Sequence, residues 1–556
     1  MVLWQAILVA FLYYFADAPF FFGEGYYVLQ RPVVAGLLVG LVMGDPVQGV
    51  IIGATINLIF LGHMSVGGSI PSDMALGGYV GTAIALSQGL SFEQALALAV
   101  PISVVGGIVW TGRMTISAIF AHWADNFAAK GDAWGVRLMN WLPIQIILFL
   151  FKMIVVSIGC YYGAAGVGAL LANFSGTWFF VGLGVIGGML PAIGIALNLR
   201  AILKKETWPF LIFGFLMVTY FGSFGANLGV TGFDGAAIGF ASGRIGGVTL
   251  IGVALFGAVF AAIYILLNSK HGAGSSGAAF AEEGKSGESR LEKRDIQRSY
   301  WLWQFFSHAN YNYERMQGTA FAMAMSPVLE KLYTKKEELS QALQRHLVFF
   351  NTDPNIGSLI HGATIAMEEQ RASGADIDDD AINSFKTGLM GPLAGVGDSL
   401  VQGIIIPLVV AIGISISLTG NVMGSILVLI GLPIILMCIA YNSWMQGYSL
   451  GGNAISSLLA GGRMKVWLGA AGILGTTVMG ALIPSTVSLR TTIAFNVGEM
   501  PFDLQSGLFD SILPGLLPLA LTIFCYWLTI KQVKTWQILV GAAVVGFAGG
   551  ALRIFG

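Results

Sequence analysis

Three carboxylates lie where carboxylates are costly. Asp398 sits within residues 388–407, a run of Gly and aliphatic residues in which Gly395 and Gly397 precede it and Pro392 and Pro407 flank it. Asp73 closes a Gly-rich stretch that begins at Gly67 and Gly68 and contains Pro71 and Ser72. Asp45 stands between Gly44 and Pro46. Gly and Pro disfavour continuous helix, and an ionised Asp is expensive in lipid. Broken backbone and a lone carboxylate are tolerated at membrane depth only where they line a cavity or lie buried in protein. These residues therefore point to a solute site with acceptors set in an apolar wall. Asp398 and Gln402 are four apart and share one face if their segment is helical. Asp45 and Gln48, three apart, have the same option. The competing role for each Asp is to cap a half-helix.

The elements that must position these groups are apolar helices. Residues 2–16 form a short or tilted span. Residues 33–62 are too long for one straight span of about 20 residues, so two segments meeting at Gly44-Asp45-Pro46 are expected. Residues 76–112 divide likewise near 87–93. Residues 114–138 mix His122, Asp125, Lys130, Asp132 and Arg137 with apolar residues, and predict an interfacial amphipathic helix. Further apolar segments cover 142–171, 178–197, 209–224 and 246–267. Residues 269–295 are rich in Gly, Ser and charge and read as a flexible linker. Its Lys270, Lys285, Arg290, Lys293 and Arg294 favour the cytoplasmic side.

After the linker the chain becomes polar. Residues 300–380 are amphipathic, 331–350 predict a surface helix, and 368–380 predict a solvated acidic face. Spans return at 389–418, 422–441, 466–483, 508–530 and 536–555. The expectation is an all-α polytopic membrane protein. It has two membrane units with broken or re-entrant helices, plus amphipathic interfacial or cytoplasmic helices. The units are 1–268 and 296–556, the second divided at 387/388, joined by the 269–295 linker.

Composition agrees. Of 556 residues, 56% are hydrophobic and only 10% charged, against about 25% charged in soluble domains. The formal net charge of −1 argues against nucleic-acid binding. Cys160, Cys438 and Cys525 are far apart and suggest neither a disulfide framework nor a metal site. Gly182-Leu-Gly-Val-Ile-Gly187 matches a dinucleotide fingerprint by letters, but it lies in an apolar span and suits close helix packing instead. Gly284-Lys285-Ser286 lacks the first Gly of a phosphate loop. No cofactor and no metal site is expected.

Residues 296–556 resemble the IID subunit of the mannose family of the bacterial phosphoenolpyruvate-dependent sugar phosphotransferase system. The resemblance rests on Asn312-Tyr-Glu-Arg-Met-Gln317, Arg345-His-Leu-Val-Phe-Phe-Asn-Thr352, Ala366-Met-Glu-Glu-Gln-Arg371 and the Gly388–Asp398 run. Residues 1–268 resemble the IIC subunit through Arg31-Pro32, Gly44-Asp45, Gly49-Val-Ile-Ile-Gly53, Gly67-Gly68, Pro71 and Asp73. It implies a permease in the bacterial cytoplasmic membrane that carries a hexose or amino sugar inward. A phosphorylated IIB partner, charged through IIA and the phosphocarrier protein, donates phosphate from a histidine of its own. The resemblance also implies a trimer of IIC–IID pairs. Asn57 and Val401-Gln402 depart from the family pattern, and turn the expectation from plain mannose toward an amino sugar or hexose derivative. The alternative reading is an ion-coupled secondary transporter or facilitator of unmodified sugar.

A sugar site needs carboxylates and amides that accept and donate in pairs where water is scarce. The candidates are Asn57, His63, Ser72 and Asp73 in the first unit and Asp398, Ser399 and Gln402 in the second. Asn310 and Asn312 are secondary candidates, and Asp73 or Asp398 is the possible proton acceptor. Gly44–Ile52 and Gly397–Ile406 agree apart from one inserted residue, which suggests two remote structural repeats.

Overall fold

A computed structural model describes residues 1–19, 28–62, 72–174, 178–222, 250–268, 291–460, 463–497 and 500–555. His63, most of the 67–73 break and linker residues 269–290 lie outside the described residues. Among those described, five helices are long and apolar enough to cross a membrane. A sixth span arises if Gln505–Ile512 and Leu516–Ile530, bent by 65°, count as one. Over the described residues the fold is all-α as expected, save for a two-stranded antiparallel ribbon, Ala494–Val497 with Met500–Asp503.

The punctuating residues do what their chemistry requires. Gly44 ends helix Pro32–Met43 at φ +87°, a left-handed cap suited to Gly. Asp45 then caps helix Pro46–Ile59, its carboxylate accepting from Gln48 N at 3.0 Å. Asp45 therefore serves as a cap, bonded to the backbone N–H of Gln48 rather than to its side chain. The two helices fold back on each other, and a methyl added at Gly36, Gly49 or Gly53 would run into the facing backbone. Gly49→Leu is expected to cost about 1–3 kcal/mol by overpacking, read as a lower melting temperature of the detergent-solubilised protein.

Gly89, at φ +61°, divides Met74–Gln88 from Phe92–Ala128. Ser91 opens the latter as a capping box: Gln94 N donates to Ser91 Oγ at 3.3 Å and Ser91 N to Gln94 Oε1 at 3.0 Å. The interfacial helix expected over 114–138 does not form. Its residues end Phe92–Ala128, turn at Gly131, and begin Ala133–Phe174. Their charges are drawn to the second unit: Arg315 holds Asp125 with two bonds of 2.6 Å, and Arg137 holds Glu330 at 2.8 Å.

The units interlock. Helices Trp208–Leu216 and Leu250–Asn268 pack on Arg463–Thr486, while Trp178–Ile202 packs on Leu516–Ile530 and Thr535–Ala551. One apolar core runs through both, from Val33 and Leu58 to Trp303, Phe321 and Val478. Helix Lys293–Phe306 begins inside the segment expected to be linker, and its Trp303 is completely buried in the core.

The segment around Asp398 is not broken. Helix Asp379–Gly397 passes through wide i→i+5 turns at Asp398–Ile405 into helix Ile406–Ser417. The wide turns shift the hydrogen-bond register, so the helix carries Pro407, which has no N–H, without interruption. Gly397 has ordinary helical φ −64° and ψ −49°, whereas Gly44 is left-handed. The two matching stretches thus differ in local structure, and the letter-level repeat does not extend to the backbone.

Candidate functional site

In the first unit Asp73 caps helix Met74–Gln88, with Leu76 N donating to its Oδ1 at 2.9 Å. Tyr13 Oη donates to its other oxygen at 2.5 Å. A methyl at Gly106 would strike the Asp73 side chain, so Asp73 rests against the middle of helix Phe92–Ala128. Beside it Asp17 pairs with buried Lys152 and accepts from Gln30. The Lys152 ammonium lies 3.8 Å from the Tyr13 ring centre. Opposite charges in direct contact make the burial of this cluster tolerable. Ser72 is buried nearby. Asn57 is placed elsewhere: its Oδ1 accepts from Val33 N at 3.1 Å, which ties two helices together.

In the second unit Gln402 Nε2 donates to Asp398 Oδ1 at 2.6 Å, the pairing expected from their spacing. Ser399 is half-buried beside them. Among the described residues, none comes within 4 Å of a methyl added at Gly388, Gly391 or Gly395, which share this helix at three- and four-residue steps. The result is a lane of small residues leading to a carboxylate and an amide.

Between these groups lies a residue that spacing did not single out. Arg113, on helix Phe92–Ala128, is 4% exposed. Its Nη2 donates to His308 O at 2.9 Å and Ala309 O at 3.3 Å, across to the second unit. Its Nε and Nη1 are buried without a partner, as are both polar atoms of the Asn310 side chain. Trp110 lies under the guanidinium, 4.9 Å from ring centre to carbon. Tyr311 packs against Trp110 and donates to Asn351 Oδ1 at 2.8 Å. The Arg113 charge acts on Asp17, and the Asp398 charge acts on Tyr311 and Asp353. The two carboxylate sites therefore lie on either side of one seam. Asn312 is a loop support instead, accepting from Glu314 N and Arg315 N.

Burial first, and the Arg113 charge second, hold His308 down to about 3, so its ring is neutral near pH 7. Gln317 Oε1 accepts from Thr352 N at 3.0 Å, which turns its Nε2 toward His308 Nε2 at 3.3 Å. The His308 proton then belongs on Nδ1, beside Ser307 Oγ at 3.1 Å.

Sequence patterning also misplaced Glu368. It was expected on a solvated acidic face, yet it is fully buried. Arg345 Nε donates to it at 2.7 Å, Tyr333 Oη at 2.6 Å, and His346 Nε2 lies 2.9 Å away. This cluster packs the polar helices together, and nothing in its contacts opens toward the seam. The signal for Arg113 and Glu368 was only their type: a charge in an apolar run, and an acid among matching bases.

Comparison with known proteins accounts for both units. Residues 3–263 match the family model described as the sorbose-specific IIC component of a phosphotransferase system. Residues 290–555 match that of the mannose/fructose/sorbose family IID component. The chain is 40% identical over 278 residues to the mannose-specific EIID component of Escherichia coli K12, covering 48% of this chain and 96% of that one. It is 37% identical over 267 residues to the fructose permease IID component of Bacillus subtilis, covering 47% and 96%. The first unit is 32% identical over 192 residues to an N-acetylgalactosamine permease IIC component of E. coli K12, covering 34% and 71%. A solved mannose transporter–microcin E492 complex contains a chain 37% identical to this one, covering 48% and 100%, with a TM-score of 0.29. The chain belongs to the mannose/fructose/sorbose family of sugar phosphotransferase-system permeases and carries IIC and IID components in one polypeptide.

Proposed function

We propose that this permease binds its sugar at the seam between the two units and carries it inward for phosphorylation by a IIB partner. The observation that supports this most is the presence of Arg113 from one unit beside the His308–Asn310 stretch of the other, bonded to His308 O and Ala309 O. Arg113 and Asn310 are both buried, and both keep hydrogen-bonding atoms unused. Such atoms cost about 1–3 kcal/mol each unless something occupies them, and a polyhydroxyl solute is suited to do so. The lane from Gly388 to Gln402 is the proposed route, with Asp398, Ser399, Gln402 and Ser72 as contacts. Asn57 serves as helix support.

Asp73 is engaged by Leu76 N–H and Tyr13 Oη, so Asp398 is the proposed acceptor of the sugar hydroxyl proton. The phosphoryl group comes from the IIB phosphohistidine, and this chain positions the hydroxyl for it. The same reading places the chain in the bacterial cytoplasmic membrane, its linker on the cytoplasmic side, as a trimer. The linker's five basic residues support that orientation.

The test uses vesicles loaded with phosphorylated IIB and a panel of hexoses and amino sugars. Sugar phosphate is expected inside only when the donor is present. Accumulation of free sugar under an ion gradient overturns the reading. Asp398→Asn is expected to lower donor-dependent uptake about tenfold, the worth of one hydrogen bond to a charged group. If it binds and phosphorylates sugar at the parental rate, the acceptor role is wrong.

A further inference from the structure

We propose that helix Lys293–Phe306 carries a binding site for the phosphate headgroup of an anionic phospholipid. The helix has two faces. Ile296, Ser299, Tyr300 and Trp303 are buried in the protein. Arg294, Gln297, Arg298, Trp301, Leu302 and Phe305, at three- and four-residue steps, form one open, shallow face of the helix, called the groove below. Arg294, Arg298 and Trp301 are exposed, and Trp301 stacks on Phe305 with ring centres 5.7 Å apart.

The groove's position selects its occupant. Gln297 Nε2 donates to Tyr441 Oη at 3.0 Å, and Tyr300 Oη donates to Met437 O at 3.0 Å. The helix is therefore seated on membrane-length helix Met423–Gly451 at Met437 and Tyr441. Ile434 and Cys438, both exposed, lie on the same stripe of that helix as Met437 and Tyr441, and exposed Ile430 lies one turn before. The apolar surface that lipid chains would cover thus runs directly up to the two guanidiniums. Aromatic and Arg side chains at such a boundary suit a headgroup above an acyl chain.

The charge balance agrees. Both acids near the start of the helix, Glu292 and Asp295, face Lys331, at 3.5 and 2.6 Å. Arg294, whose charge also acts on Asp295, and Arg298 remain exposed as a cationic pair one turn apart. Each basic side chain near an anionic surface adds about a factor of five in affinity, through a charge that Lys supplies as well as Arg.

The test compares the full-length protein with Arg294→Gln/Arg298→Gln and Arg294→Lys/Arg298→Lys. Each is reconstituted in nanodiscs of phosphatidylcholine alone or with one quarter phosphatidylglycerol, and retained lipid is counted by native mass spectrometry after gentle release. The parent is expected to retain phosphatidylglycerol over phosphatidylcholine. The Gln pair should lose that preference by about thirtyfold, two Arg contributions together, and the Lys pair should keep most of it. Equal retention by parent and Gln pair overturns the proposal if both elute as the same monodisperse species. A misfolded Gln pair leaves the Lys pair decisive: loss of preference there with the fold intact overturns a charge-based site. Two further outcomes also overturn it. One is tight binding of inorganic phosphate that phosphatidylglycerol fails to displace. The other is loss of IIB binding in the Gln pair with lipid retention unchanged.

Discussion

Arg113→Gln is expected to reduce donor-dependent sugar uptake about hundredfold while the protein still inserts and assembles. The buried guanidinium carries two bonds to carbonyls of the other unit and two nitrogens with none. Hydrogen bonds to a charged group contribute about 1.5–3 kcal/mol each, and 1.4 kcal/mol is tenfold. Glutamine keeps a donor at the seam but loses the charge and the planar reach of guanidinium. Arg113→Lys restores charge without that geometry and should recover only part of the activity. A site role predicts sugar binding, measured by equilibrium dialysis on the folded protein, that falls by far more than the loss of folded protein accounts for. Parental uptake and binding in Arg113→Gln would refute it. If melting falls sharply and uptake falls only in proportion to folded protein, Arg113 is a structural tie between the units.

Glu368→Ala is expected to cost about 3–5 kcal/mol of stability, because it leaves Arg345, His346 and Tyr333 around an empty acceptor. That corresponds to a melting temperature lower by on the order of 10 °C. Glu368→Gln keeps volume and one acceptor and should lose less. The same cluster sets an acid limit. Burial opposes ionisation of Glu368, yet bonds and charge from His346 and Arg345 outweigh it and hold its carboxyl well below the usual range. Burial first, then Lys386, push His346 down to about 4. Both groups bind protons more weakly when folded than when unfolded. Their stabilisation is therefore complete above the ordinary His value near 6.5 and falls as pH drops. The loss begins below about 6.5 with His346 and steepens below about 4.5 as unfolded Glu368 takes up its proton. Melting temperature measured from pH 8 to 4 should show this decline, and Glu368→Ala should flatten its steeper part. A parental curve in that variant would place the acid sensitivity elsewhere.

Much of the architecture was legible because its signals are local. Gly44-Asp45-Pro46 spells a left-handed cap, an N-cap and a first-turn Pro, and helices end and begin there. Gly89 and Ser91 divide the next pair for the same reason. Asp398 and Gln402 meet because four residues is one helical step. The predicted break around Asp398 failed on an equally local point: letters do not distinguish a broken helix from one that widens for two turns. The amphipathic reading of 114–138 failed because polarity marks a helix end facing protein as readily as a helix lying on a membrane.

By itself, the sequence determined that the chain is a two-unit helical membrane protein of a sugar-permease family with carboxylates set in apolar runs. Apolar run length, Gly and Pro placement and motif spacing are properties of neighbouring residues. Only the tertiary structure decided which charges meet. Asp17 finds Lys152 at a separation of 135 residues, and Arg113 reaches His308 across 195. Those partners are selected by packing of whole helices, since a buried charge settles against whichever group the fold brings within reach. The seam that joins Asp73, Arg113, Asn310 and Asp398 is a product of that packing, and no single stretch of the chain encodes it.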